Sequence, residues 1–319
     1  MNSNTLSRSD LSLTEVVQGL QRTPKTLPCK YLYDRRGSLL FDQICELDEY
    51  YITRTEWSIM EQNIASIARQ IDTHAMLVEF GSGSSLKTRL LLDALQQPNA
   101  YVPVDISAGH LLRTAAELRL AYPNLQVLPL VADFTKPFSL PESEPPASHV
   151  VIYFPGSTIG NFQPRQAGEL LSQMAAMLKQ NGGLLIGIDL QKEVEVIEAA
   201  YNDSAGITAA FNLNLLRRLN RELGSNFDLD RFQHRAVYNP AHHRVEISIV
   251  SRQAQVVSLG DQRVHFDAGE AILTEYSHKY TVEGFAAFAS RFGFSLHQHW
   301  TDPANYFALL HLVIEGAEP

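Results

Sequence analysis

The stretch of sequence that decides the fold runs from Met76 to Leu95 and reads MLVEFGSGSSLKTRLLLDAL. It opens with a short apolar run that glycines follow at once, a pattern that predicts a buried strand. After Gly81 and Gly83, leucines recur at helical spacing, so a helix is expected there. A strand, a glycine turn and a helix form the first half of a nucleotide-binding βαβ unit, because glycine lets the backbone approach a ligand closely.

The spacing around these glycines bears on which ligand the turn holds. A dinucleotide site expects a small residue three positions after the second glycine, and a phosphate-binding loop expects glycine before its Lys-Ser/Thr pair. Leu86 stands at both places, which argues against a pyrophosphate or phosphate ligand. The remaining pattern, Glu79-x-Gly81-x-Gly83, resembles the turn of S-adenosylmethionine (SAM) methyltransferases, whose ligand carries no phosphate. On this motif alone, a plain glycine turn in an α/β domain remains an open alternative.

An acidic residue ends the next expected strand. Residues 101–105 read YVPVD and predict a strand whose last residue is Asp105. An acid about 20 residues beyond the glycines, at the carboxyl end of the second strand, is placed to accept hydrogen bonds from ribose hydroxyls. Asp105 could instead only begin the following helix with Ser107, since both residue types favour helix N-termini. We favour the ribose role.

Length and charge narrow the class of protein. The chain has 319 residues, enough for one domain with a large insertion or for two small domains. Asp and Glu number 35 against 26 Lys and Arg, which gives a formal net charge of −9. Nucleic-acid surfaces need clustered positive charge, so we expect a small-molecule partner and no nucleic acid.

The cysteines, the histidines and the distribution of apolar residues indicate the cellular compartment and whether the protein binds a metal ion. The two cysteines cannot form a disulfide framework, which suits a reducing compartment, and the 11 histidines show no metal-ligand spacing. Residues 1–15 lack an apolar signal core, and no apolar run is long enough to span a membrane. We therefore expect a cytoplasmic protein that binds neither a metal nor a membrane. We also expect a monomer.

The alternation of strands and helices stops at about residue 193. Up to that point the pattern predicts a parallel sheet, and beyond it one long helix and strands of an antiparallel kind. The last helix and two strands complete the sheet. The expected later elements are strands at 125–130, 149–154 and 183–189, a helix at 193–223, strands at 232–238, 244–256 and 271–279, a helix at 284–292, and strands at 295–301 and 306–315.

The predicted fold is therefore α/β, with a Rossmann-like SAM-methyltransferase sheet and a second, smaller α+β substrate domain. Residues 56–192 plus 284–319 are assigned to the sheet, and residues 1–55 plus 193–283 to the substrate-binding lid domain. Ligands of open α/β sheets bind beyond the carboxyl ends of strands. The loop from Gly156 to Asn161 should thus line the site, and Asp133 is placed to meet an adenine amino group.

Seven segments together resemble one family. They are YLYDRRGSLLFDQI (31–44), LDEYYITRTE (47–56), EFGSGSSLKTRLLLDAL (79–95), YVPVDIS (101–107), YFPGSTIGNF (153–162), AAYNDSAGITAAFN (199–212) and LTEYSHKY (273–280). Over about residues 28–319 the chain is similar to the histidine-specific SAM-dependent methyltransferases. These are the hercynine synthases, which trimethylate the α-amine of L-histidine for ergothioneine biosynthesis. The family also includes enzymes that act on tryptophan-derived amines.

The resemblance implies two sets of site residues, with SAM as the methyl donor. In one departure, the strand that begins at Arg244 carries Ile247 where relatives can place Met near the imidazole. The implied catalytic candidates are Tyr33 and Asn161. The implied SAM contacts are Tyr33, Gly81, Lys87, Asp105, Asp133 and Phe134. The implied amino-acid contacts are Tyr50, Gly156, Asn161, Tyr201, Glu275 and Ser277.

The chemistry of two of these residues fits an imidazole. Glu275 and Ser277 are two apart on a predicted strand, so their side chains share a face. A carboxylate accepts from one imidazole N–H and a hydroxyl can donate to the other nitrogen, whereas indole offers only a donor. A solvent-facing pair on an edge strand is the alternative.

The amine and the carboxylate of an amino-acid substrate need hydrogen-bonding partners other than Glu275 and Ser277. Asn161 can hold the carboxylate with Tyr201 as a second donor, or it can cap the helix that follows. Tyr33 can bond the carboxylate or orient the amine, and no obligatory general base is assigned. Aromatic faces at Tyr33, Phe41 and Phe211 would tolerate a quaternary ammonium.

Two rival functions remain at this stage. One is an N-methyltransferase for another aromatic amino acid such as tryptophan, and the other is a non-catalytic SAM-binding regulator. A SAM sensor has no use for an amino-acid pocket, so the joint presence of Asn161, Tyr201, Glu275 and Ser277 argues against the second.

Overall fold

The computed structural model of the protein describes residues 11–82, 86–178 and 182–314, so Gly83 lies outside the described residues. The chain forms two compact units. The small unit comprises Met1–Tyr50, Val194–Asn239 and Val245–Ser277, and the large unit comprises Tyr51–Glu193, Pro240–Arg244 and His278–Pro319. The assignment of one domain to SAM and the other to the amino acid stays a prediction.

The described residues contain nine α-helices, and none of these is both long enough and apolar enough to cross a membrane. The helices are α1 (Leu13–Gln21), α2 (Arg35–Cys45), α3 (Tyr51–Ile71), α4 (Leu86–Ala94), α5 (Ala108–Ala121), α6 (Pro164–Leu178), α7 (Val194–Tyr201), α8 (Ile207–Leu223) and α9 (Val282–Ser290). The strands are β1 (Lys25–Thr26), β2 (Ala75–Phe80), β3 (Ala100–Asp105), β4 (Gln126–Val127), β5 (Leu130–Val131), β6 (His149–Phe154), β7 (Gly183–Asp189), β8 (Phe232–Asn239), β9 (Arg244–Ser251), β10 (Gln255–Leu259), β11 (Gln262–Phe266), β12 (Ala271–His278), β13 (Phe294–Thr301) and β14 (Phe307–Ile314).

The large unit is built on one mixed sheet, which confirms the predicted fold class. Its strand order is β13-β14-β7-β6-β2-β3-β4, and β5 also pairs with β3. Strands β7, β6, β2, β3 and β4 run parallel, while β14 pairs antiparallel with both β7 and β13. Every residue of β2 is buried, as expected for a parallel strand covered on both faces. The carboxyl ends of β2, β3, β6 and β7 therefore share one edge of the sheet.

The strand predicted at 125–130 is wrong in its extent. The structure has two short strands instead, β4 and β5, which both pair in parallel with β3. Pro129 lies between them, and proline has no N–H to donate to a strand ladder. The sheet therefore breaks at Pro129 and resumes one residue later.

The single helix predicted at 193–223 is also wrong, because the chain breaks between α7 and α8. Helix α7 ends at Tyr201, and the side chain of Asp203 bonds the start of α8. Its two carboxylate oxygens accept from the backbone N–H groups of Ile207 at 2.7 Å and Thr208 at 2.8 Å. Gly206 precedes α8 with φ of 72°. An Asp and a left-handed glycine so close together favour a helix start over a continuous helix.

The small unit has a four-stranded sheet in the order β1-β12-β9-β8 and a separate hairpin of β10 and β11. The strand predicted at 244–256 is wrong in that it ends at Ser251, and β11 was not predicted. The hairpin pairs Leu259 with Gln262 across a two-residue loop, in which Gly260 has φ of 57°. A glycine and an aspartate between alternating apolar residues are a hairpin signal, and it explains why the chain turns here.

Candidate active site

The glycine turn lies at the carboxyl end of β2 in the large unit. Gly81 has φ of 76°, a conformation that side chains rarely adopt, and its N–H donates to the Val104 carbonyl of β3 at 2.9 Å. A Cβ added at Gly81 would lie 4.0 Å from the ring of Phe134. Phe134 stacks on Phe80, with ring centroids 5.5 Å apart. Two of the predicted SAM contacts, Gly81 and Phe134, are thus neighbours.

Two acids lie at the carboxyl ends of the neighbouring strands β3 and β5. Asp105 ends β3, and its Oδ1 accepts from the N–H of Ser107 at 2.8 Å, just before α5 begins. Burial raises the pKa of Asp105, while the Ser107 N–H and His110 oppose that shift. Both roles weighed for Asp105 are compatible, because one carboxylate oxygen serves the turn and a carboxylate has two. Asp133 follows β5, and its Oδ1 accepts from the N–H of Thr135 at 3.1 Å.

A buried glutamate connects two of the predicted site segments. Lys87, at the start of α4, forms an ion pair with Glu56 of α3, whose side chain is 0% exposed. The Gly156 N–H donates to the same carboxylate, at 2.9 Å to Oε2 and 3.2 Å to Oε1. A contact between Gly156 and an amino-acid substrate would therefore involve its Cα or carbonyl. Glu56 was missed, although it lies on the apolar stripe of α3 with Ile52 and Met60.

The loop after β6 has a strained and closely packed backbone. Gly156 and Ser157 both have positive φ, 73° and 57°, and a short 3₁₀-helix then runs over Thr158–Asn161. A Cβ at Gly160 would lie 2.9 Å from the His278 carbonyl, and the Gly160 carbonyl bonds the ring of His278 at 2.8 Å. This close approach requires glycine.

Asn161 is the last residue of that 3₁₀-helix. It is half-buried, and two residues separate it from Pro164, where α6 begins. Gln163 stands directly before α6, and its carbonyl accepts from the Ala167 N–H at 2.9 Å. The position next to the helix therefore belongs to Gln163 and not to Asn161.

A second buried charge cluster lies at the carboxyl end of β7, and it was also missed. Asp189 is 0% exposed and accepts from Tyr51 at 2.8 Å and from Lys192 and Lys279 at 2.5 Å each. Its own N–H donates to Ser157 Oγ at 2.9 Å, which fixes the loop after β6. Burial lowers the pKa of Lys192 to about 8, a shift that Asp189 opposes and Lys279 reinforces.

In the small unit, the predicted aromatic residues form one cluster of rings. Tyr33 lies edge-on to Phe41 and Phe211, with centroids 5.6 Å and 5.4 Å apart. Phe41 contacts Tyr50 at 6.3 Å, and Tyr50 contacts Tyr201 at 6.2 Å. Such edge-to-face packing is the favoured geometry for rings. We call these five residues the aromatic cluster.

The polar side of this cluster comes from β12. The hydroxyls of Tyr201 and Ser277 lie 2.7 Å apart, within hydrogen-bond distance. Glu275 is two residues before Ser277 on the strand, as predicted. Burial and then the Glu275 carboxylate raise the pKa of Tyr33 and that of Cys29, which places this charge beside the aromatic cluster. Five predicted site residues of the small unit therefore converge.

A neutral histidine holds the backbone of Tyr201. The Nε2 of His234 donates to the Tyr201 carbonyl at 2.8 Å, and Nδ1 accepts from Asn212 at 3.0 Å. Asn212 in turn accepts from Thr274 at 2.8 Å. The Thr274 hydroxyl also lies 3.1 Å from the carbonyl oxygen of Ile247, a buried residue, so its single proton can be given to either acceptor. Burial lowers the pKa of His234, which favours the neutral form of the ring. Neither His234 nor Asn212 was singled out from the sequence.

The structure thus groups the predicted residues by unit. The small unit holds Tyr33, Tyr50, Tyr201, Glu275 and Ser277. The large unit holds Gly81, Lys87, Asp105, Asp133, Phe134, Gly156 and Asn161. The specific roles assigned to these twelve positions stay predictions.

Comparison with known proteins points to one family. Residues 12–314 match the family described as histidine-specific methyltransferase, SAM-dependent. The chain is 42% identical over 302 residues to the histidine N-alpha-methyltransferase of Mycolicibacterium smegmatis, with 92% of each chain covered. It is 40% identical over 302 residues to that of Mycobacterium tuberculosis, again with 92% of each covered. It is 30% identical over 277 residues to ergothioneine biosynthesis protein 1 of Schizosaccharomyces pombe, covering 83% of this chain and 35% of that protein.

Proposed function

Because the chain belongs to the histidine-specific, SAM-dependent methyltransferase family, we propose that it transfers methyl groups from SAM to the α-amine of L-histidine. It is an enzyme of the SAM-dependent methyltransferase class, with SAM as methyl donor. Three successive transfers would give hercynine, the first product of ergothioneine biosynthesis. The relatives named for histidine methylation and for ergothioneine biosynthesis support this assignment.

The observation that carries the substrate assignment is the polar edge of the aromatic cluster. Glu275 supplies an acceptor for one imidazole N–H. The Ser277 hydroxyl, 2.7 Å from that of Tyr201, can donate to the second nitrogen while it accepts from the tyrosine. An indole has no second nitrogen to take that donor, so the pair favours imidazole over tryptophan.

The methyl donor is assigned to the large unit. We assign the ribose to Asp105, the adenine to Asp133 and Phe134, and the methionine part of SAM to Gly81 and Lys87. These residues follow β2, β3 and β5, whose carboxyl ends share one edge of the sheet. Methyl transfer itself moves the carbon from sulfur to nitrogen and requires a lone pair on the amine.

Positioning rather than acid–base chemistry is assigned to the remaining residues. We infer that Asn161 holds the substrate carboxylate and that Tyr33 orients the amine. After the third transfer the nitrogen carries no N–H and cannot donate a hydrogen bond, but the faces of aromatic rings can still contact its positive charge favourably. The rings of Tyr33, Phe41 and Phe211 lie within 6.0 Å of one another and offer such faces. In-line alignment and exclusion of water then supply most of the acceleration.

Monomeric state and cytoplasmic location complete the proposal. The net charge of −9 and the small-molecule chemistry of the family support an enzyme that works without nucleic acid. Size-exclusion chromatography with light-scattering detection measures the molar mass in solution. A dimer would give twice the mass of the monomer.

Product analysis tests the function directly. The enzyme is incubated with SAM and each of the twenty amino acids separately, and the masses of the products are measured by mass spectrometry. We expect histidine alone to gain three methyl groups. Methylation of tryptophan in place of histidine would support the aromatic-amine alternative. SAM binding without any product would support the regulator.

A further inference from the structure

Glu56 is the charged residue on the buried stripe of α3. Its side chain is 0% exposed, although glutamate is almost never fully buried unless it is paired. The partners are the Lys87 ammonium of α4 and the Gly156 N–H of the loop after β6. One carboxylate therefore contacts two segments that the sequence assigns to different ligands.

The fold makes room for this carboxylate. A Cβ added at Gly187, in β7, would lie 2.6 Å from Glu56 Oε1 and 2.8 Å from the ring of Phe307. The absence of a side chain at Gly187 thus admits both groups against the sheet. A lysine ammonium has three N–H donors. The bond to Glu56 aims the Lys87 ammonium and still leaves donors for a ligand carboxylate.

We propose that Glu56 is a positioning residue for methyl transfer, which holds the Lys87 ammonium and the Gly156 backbone in their working places. The group that the Lys87 ammonium would bind is an α-carboxylate. Both the methionine part of SAM and the amino-acid substrate carry one, and we assign SAM because Lys87 belongs to the glycine-turn helix. This inference rests on the proposed function for the roles of Lys87 and Gly156.

Substitution of Glu56 separates the two tasks. In Glu56→Gln the amide carbonyl can still accept from Gly156, but the charge that pairs with Lys87 is lost. We expect the Kd for S-adenosylhomocysteine, measured by calorimetry, to rise by about 10-fold, the scale of a lost charged hydrogen bond. The KM for histidine should change by less than about 3-fold. In Glu56→Ala both acceptors are lost, and both constants should rise.

Glu61→Gln is the matched control. It makes the same chemical change on an exposed position of the same helix, and it should leave both constants unchanged. A double-mutant cycle then tests whether Glu56 acts through Lys87. In a Lys87→Met background, Glu56→Gln should weaken S-adenosylhomocysteine by less than about 2-fold. An equal weakening in both backgrounds would overturn the proposal and make Glu56 a purely structural residue.

Three further outcomes are distinguishable. If Glu56→Gln does not fold, Glu56→Asp keeps the charge on a shorter side chain. Its effect on S-adenosylhomocysteine must then disappear in the Lys87→Met background, and persistence overturns the proposal. A rise in the KM for histidine alone would move Lys87 to the substrate carboxylate and would also overturn it. If the wild-type enzyme methylates no histidine, the proposed function fails, whereas the binding cycle still decides the role of Glu56.

Discussion

The two units bury different kinds of polar group around their predicted ligand residues. The large unit buries full charges, in the Glu56–Lys87 pair and in the cluster of Asp189 with two lysines. Near its predicted ligand residues, the small unit instead places the aromatic cluster and the hydroxyls of Tyr201 and Ser277 beside the Glu275 carboxylate. Fixed charges suit a charged ligand such as SAM, whereas rings and hydroxyls suit a neutral imidazole and a methylated amine. The difference supports separate tasks for the two units.

The largest expected effect comes from breaking the Asp189 cluster. Asp189→Asn leaves Lys192 and Lys279 buried without their carboxylate, so we expect the free energy of unfolding to fall by about 3–5 kcal/mol. Denaturant titration measures this change, and the exposed Asp42→Asn serves as the control. A loss below about 1 kcal/mol would mean that the large unit does not depend on this charge cluster.

Stability should also depend on pH through Glu79 at the end of β2. This side chain accepts from Tyr101 at 2.5 Å and Thr88 at 2.7 Å, and burial raises its pKa from 4.5 to about 7. The folded state therefore holds the proton more tightly than the unfolded state. The stabilisation is complete below pH 4.5 and is lost as pH rises through 7.

Glu79→Gln should remove this dependence. Relative to the variant, the wild type should lose about 2–3 kcal/mol of unfolding free energy between pH 5 and pH 8. Denaturant titrations of both proteins across that range provide the comparison. Parallel stability curves would show that Glu79 is ionised throughout.

A smaller effect is expected at the ribose position. Asp105→Ala should weaken SAM binding by about 1–3 kcal/mol, because a hydrogen bond to a charged group is lost. The KM for histidine should stay the same, since Asp105 belongs to the large unit. Calorimetry on the folded variant measures the SAM affinity. Unchanged affinity would leave Asp105 with only its turn-forming bond to Ser107.

Sequence patterns predicted the sheet more accurately than the small unit. Strands β6 and β7 begin and end at the predicted residues. A continuous apolar run bounded by polar residues leaves little choice about where a buried strand begins and ends. The break at Asp203 and the hairpin at Gly260 were missed, although each carries a local signal. Both signals are short and were outweighed by the surrounding periodicity.

The buried charges could not be predicted in the same way. Apart from Lys192, three positions from Asp189, the partners named above for Glu56 and Asp189 are 31 to 138 positions away along the chain. Local periodicity predicts a buried position but not the partner that makes a charge stable there. The motifs nevertheless located twelve candidate residues, and the structure brings those of the small unit around the aromatic cluster.

The central claim is that the small unit recognises a neutral imidazole through hydrogen bonds to its two nitrogens. The substitution Glu275→Ala tests this claim most directly. Steady-state kinetics on histidine and tryptophan are measured together with the affinity for S-adenosylhomocysteine, and Glu195→Ala, an exposed acid of the same unit, is the control. We expect catalytic efficiency on histidine to fall by roughly 10–1,000-fold, or about 1.4–4 kcal/mol. S-adenosylhomocysteine affinity should stay within about 2-fold, and tryptophan turnover should stay the same or rise. Equal losses of histidine turnover and S-adenosylhomocysteine affinity, or unchanged turnover of histidine, would contradict the claim.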